Sequence, residues 1–167
     1  MSSQSLPALG QRGSETSAAA EDLFTRGKQL LDKKQYRDAC LKLEESQRLD
    51  PAIGTLLYLG FCYERIGKDA SAWSTYRAAQ SAANQAGQAR RAQIAQRRAE
   101  RVEPRLARLV INLSSVAPEG LRITRNGVEL GTASLGQAVP VDPGEHVIAA
   151  RAPGRQAYSK VVKAEPG

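Results

Sequence analysis

Aromatic side chains are scarce in this chain of 167 residues: they make up 5% of it, with one tryptophan and two phenylalanines. Beside a hydrophobic fraction of 41%, that supplies a core but not a large one, and favours small stacked units over one deep globule. Histidine occurs once, at His146, with no second candidate ligand nearby in sequence, so it reads as a structural residue rather than a catalytic or metal-binding one. Cysteine occurs twice, at Cys40 and Cys62, with no Cys-x-x-Cys and no metal spacing. Both read as small helix-packing residues; pairing would need their Cα atoms within about 7 Å, which spacing alone leaves open. No Ser or Cys carries an activating motif. The segment Gly60 to Asp69 has a faint phosphate-loop look, but the spacing is wrong and Asp69 stands where Ser or Thr is needed. Asn112-Leu113-Ser114 is a glycosylation-type sequon on a predicted strand and weighs little. No cofactor and no metal is implied, and the chain reads as non-enzymatic.

No apolar run is long enough to span a bilayer. A charged fraction of 25% is ordinary, so the chain as a whole is not expected to be disordered. Residues 1–17 read as a disordered tail. Within it, Ser5-Leu6-Pro7-Ala8-Leu9-Gly10-Gln11 fits the end of a secretory signal whose basic and apolar regions are missing from this chain. The last residues, Glu165-Pro166-Gly167, follow directly on a predicted strand, so both ends read as places where more chain could continue.

What is present falls into two halves. Helical apolar spacing marks residues 18–32, 35–49, 53–66 and 69–84, punctuated by Lys33-Lys34, Asp50-Pro51 and Gly67. The first pair of segments aligns with the second at an offset of 33: Gly27 with Gly60, Leu30 with Tyr63, Ala39 with Ala72, Leu43 with Tyr76. The glycine and the alanine let two helices approach, and the larger residues fill the gap. A further helix is predicted over 86–103, with Ala92, Ala95, Ala99 and Val102 as its apolar stripe; it ends or kinks where Glu103 precedes Pro104.

This pattern resembles the tetratricopeptide repeat, a helix-turn-helix of about 34 residues. The second unit carries Leu56-x2-Leu59-Gly60-x2-Tyr63, then Ala72-x3-Tyr76 and Ala79. The first departs at Arg26, where the family prefers leucine, and at Ser46, where it prefers alanine. The resemblance implies that residues 18–105 form stacked helical hairpins with 86–103 as a capping helix. It also implies that the first helix of each pair lines a concave groove for a protein or peptide partner. That places Phe24, Lys28 and Leu31 in the groove, with Leu57, Phe61, Glu64 and Arg65, extended by Arg91 and Arg98. Phe61 beside Arg65 suits a peptide with one apolar anchor and an acidic neighbour. Packing of Phe61 on the capping helix is the competing reading.

After Pro104 the apolar period drops to two. Strands are predicted over 108–114, 121–125, 128–130, 139–141, 145–150 and 157–163. Asn126-Gly127 marks a type I′ hairpin turn, and Pro143-Gly144 and Pro153-Gly154 mark two more turns. Short strands at this spacing suggest a small antiparallel β-sandwich over 106–164. Pro118-Glu119-Gly120-Leu121, Asn126-Gly127, Gly131 and Pro143-Gly144-Glu145-His146-Val147 resemble a PEGA domain. A small sandwich of the carboxypeptidase-regulatory type is the nearest other match. The expected fold class is therefore α+β in two domains. The combined resemblance is to bacterial envelope-associated proteins, which implies a binding scaffold with the β module as spacer or attachment, in the cell envelope or periplasm.

The net charge of +7 has one strong local source. From Gln88 to Arg108 there are seven arginines against two glutamates. Nucleic-acid binding through this helix is the alternative function, since guanidinium groups pair well with phosphate. No aromatic residue lies in the stretch to stack on bases, and no nucleic-acid-binding motif is visible, so a solvated helix face is favoured.

Overall fold

A computed structural model describes residues 9–167, with side chains from residue 13 onward. Residues 1–8 of the expected tail, with the first part of the signal-like segment, lie outside the described residues. Five helices come first: α1 (Leu9–Asp32), α2 (Tyr36–Leu49), α3 (Ile53–Arg65), α4 (Asp69–Gln85) and α5 (Ala89–Val102). Antiparallel strands in two sheets follow, so the fold is α+β. The tail expected through residue 17 is corrected from Leu9 onward, where the chain is already helical. Once the rest of α1 is nucleated by packing, extending it through Ser14–Ala19 adds a hydrogen bond per residue at little cost. Those turns bury nothing; burial begins at Ala20.

Two compact units are distinguished. The first takes in the chain to Ile66 and Ala72–Arg101; the second takes in Gly67–Ser71 and Val102–Gly167. Left-handed residues end three of the helices: Lys34 (φ 60°), Gly67 (φ 76°) and Gly87 (φ 67°). At the first, Gln35 N–H reaches back to the Leu30 carbonyl; at the third, Gln88 N–H reaches the Ala83 carbonyl. These bonds satisfy carbonyls that the helix end would leave unpaired. Between α2 and α3 the extended Asp50 and Pro51 stop the helix instead.

The repeat offset of 33 has a direct packing meaning. A Cβ on Gly27 would lie 2.8 Å from Leu43 Cγ, and one on Gly60 would lie 2.5 Å from the Tyr76 ring. Gly27 and Gly60 are thus notches that receive Leu43 and Tyr76, both fully buried. Leu31, Ala39, Cys40, Leu43, Leu59 and Cys62 form the first core cluster. Ser46, where a small apolar residue would be simplest, is buried because its hydroxyl donates to the Ala20 carbonyl at 2.8 Å. On α4, Ala72, Ala79 and Ala83 are buried; on α5 the predicted stripe Ala92, Ala95, Ala99 and Val102 is buried as well.

Cys40 and Cys62 form a disulfide with Cα atoms 5.6 Å apart and a sequence separation of 22. This settles the pairing that spacing left open, and replaces the reading of two plain packing residues. A closed loop of that length stabilises by about 3 kcal/mol through the unfolded chain.

In the second unit, β1 (Ala107–Leu109) pairs with β4 (Val139–Val141), and a four-stranded sheet runs in the order β3-β2-β5-β6. The latter strands are β2 (Arg122–Arg125), β3 (Val128–Glu129), β5 (Gly144–Arg151) and β6 (Tyr158–Ala164). All pairings are antiparallel. Asn126 (φ 50°) and Gly127 (φ 80°) make the expected hairpin turn. The strand expected over 108–114 stops at Leu109, because its partner is only three residues long. Beyond the ladder, Gly136 N–H reaches the Ile111 carbonyl at 2.9 Å from a left-handed turn. Val141, Ala107 and Ala164 form one buried cluster, and Ile123, His146 and Ile148 are buried in the four-stranded sheet. In the same unit the Asp142 carboxylate accepts from Ser71 N–H at 2.9 Å and from its hydroxyl at 2.5 Å, and Arg105 pairs with Asp69 at 2.8 Å.

The notch at Gly60 predicts an asymmetric pair of variants. Gly60→Ala is expected to lower stability by about 1–3 kcal/mol, since the buried Tyr76 ring has nowhere to move. Gly54→Ala on the same helix, with nothing within 4 Å, is expected to leave stability unchanged or raise it. Urea unfolding followed by helix signal checks both, and equal losses would refute the notch.

Candidate functional site

Several aromatic rings of the helical unit carry a cation over them. Phe24 on α1 and Tyr58 on α3 meet edge to face at 5.4 Å between centroids. Lys28, one turn after Phe24, holds its Nζ 5.4 Å from both rings. Arg65 on α3 lies 4.9 Å from the Tyr36 ring and 5.9 Å from the Phe61 ring. Its Nη2 donates to the Tyr36 hydroxyl at 3.1 Å. Arg98 on α5 lies 5.7 Å from the rings of both Phe61 and Tyr76. Ring quadrupoles attract cations at such distances, by about 0.5–1 kcal/mol where water has access.

Between α3 and α5 this arrangement leaves a depression of about 320 Å³ lined by Leu57, Tyr58, Phe61, Ile94 and Arg98. Its floor is apolar, and Arg98 forms its rim. A second, wider depression of about 520 Å³ lies along Lys34, Gln35, Tyr36, Arg37, Asp38, Arg65 and Ile66. Tyr36 and Arg65 stand beside it and tie it to the Phe61 ring.

Beneath the first depression lies a polar chain. The Tyr76 hydroxyl donates to Glu64 Oε1 at 2.6 Å and accepts from Arg98 Nη1 at 3.2 Å. Arg101 reaches the same Glu64 oxygen at 3.5 Å. Burial pushes the Tyr76 phenol well above its ordinary value, and the hydrogen bond to the Glu64 carboxylate adds to the rise.

Of the residues expected to line the groove, Phe24, Lys28, Leu57, Phe61 and Arg98 come together on this face, with Arg65 on its flank. Leu31 is corrected: at 8% exposed it belongs to the core cluster, packed with Ala39, Cys40 and Leu59 rather than open to a partner. Glu64 sits at the edge of the site, with its carboxylate turned inward to Tyr76 and Arg101 and only 11% exposed. Arg91 is exposed, but its Nη1 donates to Gln88 on its own helix, and it lines neither depression. Phe61 is half-buried: one side packs on the core cluster while the ring lies under Arg98 of α5. Groove wall and contact with the last helix are therefore the same residue.

Tyr58, Tyr36 and Ile94 were missed. Tyr58 completes an i, i+3 pair with Phe61, and that spacing was available. Ile94 is the one large apolar residue on the arginine- and glutamine-rich face of α5, an anomaly that could have marked it.

In the second unit His146 engages both ring nitrogens. Its Nε2–H donates to the Asp142 carbonyl at 2.8 Å. Val147 N–H donates to Asn126 Oδ1, which turns the Asn126 amide nitrogen toward His146 Nδ1 at 3.3 Å. Nδ1 is then the acceptor. Among the described residues, no group of three or more His, Cys, Asp or Glu could hold a metal ion, and no helix is long and apolar enough to cross a membrane. No family model, curated protein or solved structure matches the chain.

The Tyr76 environment predicts a pH dependence. A phenol whose folded value lies above its ordinary value near 10 contributes stability that is complete below pH 10 and lost as pH rises through the higher folded value. Tyr76→Phe keeps the ring but removes the proton. It is expected to be less stable at neutral pH by about 1.5–3 kcal/mol, the usual worth of a hydrogen bond to a charged group. Its stability is expected to fall less steeply above pH 10. Denaturant titrations at several alkaline pH values compare the slopes, and parallel curves would rule the mechanism out.

Proposed function

We propose that this chain is a non-enzymatic scaffold: helical hairpins of the tetratricopeptide type hold a partner segment on the α1–α3–α5 face, and a PEGA-like β-sandwich spaces or attaches them at the cell envelope. The observation that carries this reading is the apolar depression of Leu57, Tyr58, Phe61 and Ile94, rimmed by Arg98 and flanked by Lys28 and Arg65. An apolar anchor seated there, with acidic neighbours meeting the cations, is the chemistry it suits. Support for the repeat type comes from the paired notches, Gly27 with Leu43 and Gly60 with Tyr76, at the repeat offset. The Cys40–Cys62 disulfide suits an oxidising compartment such as the periplasm. No cofactor enters this reading.

The arginine helix is less suited to nucleic acid than its charge count suggests. Arg98 and Arg101 are turned toward Tyr76 and Glu64, and Arg91 and Arg97 are bonded to Gln88 and Gln93. None of the aromatic rings belongs to α5.

Panning a displayed peptide library on the folded chain tests the proposal. Recovered peptides are expected to share a large apolar residue with acidic neighbours. Binding is expected to fall about tenfold or more in Phe61→Ala/Arg65→Glu, equivalent to about 1.4 kcal/mol. A labelled single-stranded oligonucleotide serves as the comparison. If it binds more tightly than any recovered peptide and loses affinity steeply with salt, the nucleic-acid reading replaces this one.

A further inference from the structure

We infer that the open face of the four-stranded sheet carries an anion site, where Arg122 and Arg151 hold the phosphoryl group of a small phosphomonoester beside Thr124. The site lies within the β unit and is independent of the groove on the helical unit. Alternate residues of a strand face opposite ways. Ile123, His146 and Ile148 are buried, so Arg122 and Thr124 of β2, with Ala149 and Arg151 of β5, project from the other face. Glu129 of β3 pairs with Thr124 and joins them there. Together these five residues line a depression of about 250 Å³.

What singles this place out is a like-charge pair. In the β2–β5 ladder Arg122 lies directly opposite Arg151. Like charges so placed are destabilising, and the sheet gains nothing from them. The rest of the same face follows the opposite rule. Glu145 lies opposite Lys163 and Val147 opposite Val161, so charges there are matched and apolar residues are paired. Nor does the protein neutralise the two arginines itself. Glu129 Oε1 reaches Arg122 Nε at 3.5 Å, but the two side chains are 57% and 74% exposed, and such a contact contributes little. Arg151 has no carboxylate partner among the described residues. Two guanidinium groups against one carboxylate leave the depression positively charged.

The donors fix the class of anion. Each guanidinium is a planar fork that takes two oxygens at once. A carboxylate has two oxygens and saturates one fork, which leaves the other arginine unneutralised. A phosphoryl dianion has three terminal oxygens and two charges, so it faces a fork from each strand and still accepts from the Thr124 hydroxyl. Ala149 stands between Thr124 and Ser159 in one row across three strands, and its single methyl leaves room in the middle of the face. A free phosphate ion fills only part of 250 Å³, so the organic part of the ester shares the depression.

Titration calorimetry of the full chain with glycerol phosphate, and with glycerol as the uncharged comparison, tests the site. Glycerol phosphate is expected to bind and glycerol is not. Arg151→Gln is expected to weaken binding about tenfold or more, since one fork is lost. Glu129→Gln is expected to strengthen it about twofold to fivefold, since it removes a carboxylate that competes for Arg122. Arg90→Gln, on α5, lowers the net charge as Arg151→Gln does and is expected to change nothing. All three positions are exposed, so circular dichroism is expected to stay the same. Wild type that ignores glycerol phosphate throughout the millimolar range overturns the proposal. So does an equal loss in Arg90→Gln and Arg151→Gln, the mark of attraction by net charge alone, or weaker binding in Glu129→Gln. Vesicles containing phosphatidic acid form the last arm: binding to these without binding to glycerol phosphate also overturns the proposal and gives the face to a lipid surface.

Discussion

One ring in one notch organises the helical unit. Tyr76 lies where a Cβ on Gly60 would be, so α3 and α4 approach as closely as a backbone allows. A buried ring ending in a hydroxyl needs a polar partner at its tip, because an unpaired hydroxyl there would cost about 1–3 kcal/mol. Glu64 and Arg98 supply it. The same bond fixes where the Arg98 guanidinium lies, and hence which face of Phe61 it covers. The rim of the depression is therefore set from below by a packing constraint and not by surface charge alone. The first repeat has no such extension. Leu43 fills the notch at Gly27 with carbon only, and no polar chain grows from it.

The arginines divide by what they rest on. Arg65 and Arg98 lie over aromatic rings, with their charge oriented by ring faces and phenol oxygens. Arg90 and Arg97 stand exposed on α5 with no ring beneath them. A net charge of +7 describes neither group well, since only the first has a fixed geometry that a partner could read. In the β unit the lone histidine is likewise committed to architecture. It ties the Asn126 turn to the Asp142 carbonyl, so the tip of the hairpin and the start of β5 are held by one side chain.

Much of this architecture was legible because it rests on local rules. The breaks at Lys33-Lys34 and Gly67 were visible in the sequence, as was the Asn126-Gly127 hairpin from its need for two left-handed residues, whereas Gly87, placed inside the helix expected over 86–103, is instead a left-handed helix end. The offset of 33 pointed to Gly60 and Tyr76 before their contact was known. What failed was what depends on packing between distant segments. Leu31 shares a helical face with Phe24 and Lys28, but the neighbouring α2 and α3 cover it. The strand to Ser114 alternated correctly and still stopped at Leu109, because its partner ran out. Tyr58 and Ile94 join one depression only once α3 and α5 are side by side, and spacing within one helix carries no information about that. The helix reaching back to Leu9 was hidden for another reason: its exposed turns carry no apolar pattern, being extended from a nucleus further along.

The disulfide crosses from α2 to α3, which by the repeat alignment are the last helix of one hairpin and the first of the next. Stacked hairpins ordinarily behave as a one-dimensional array in which an end unit can peel away while its neighbour stays folded. A covalent tie across that junction keeps a peeled unit tethered and lowers the entropy it gains by opening. The Asp50-Pro51 connection then lies inside a closed ring, so a protease cutting there would leave both fragments attached. Re-closing of either hairpin is then an intramolecular step that starts from tethered segments.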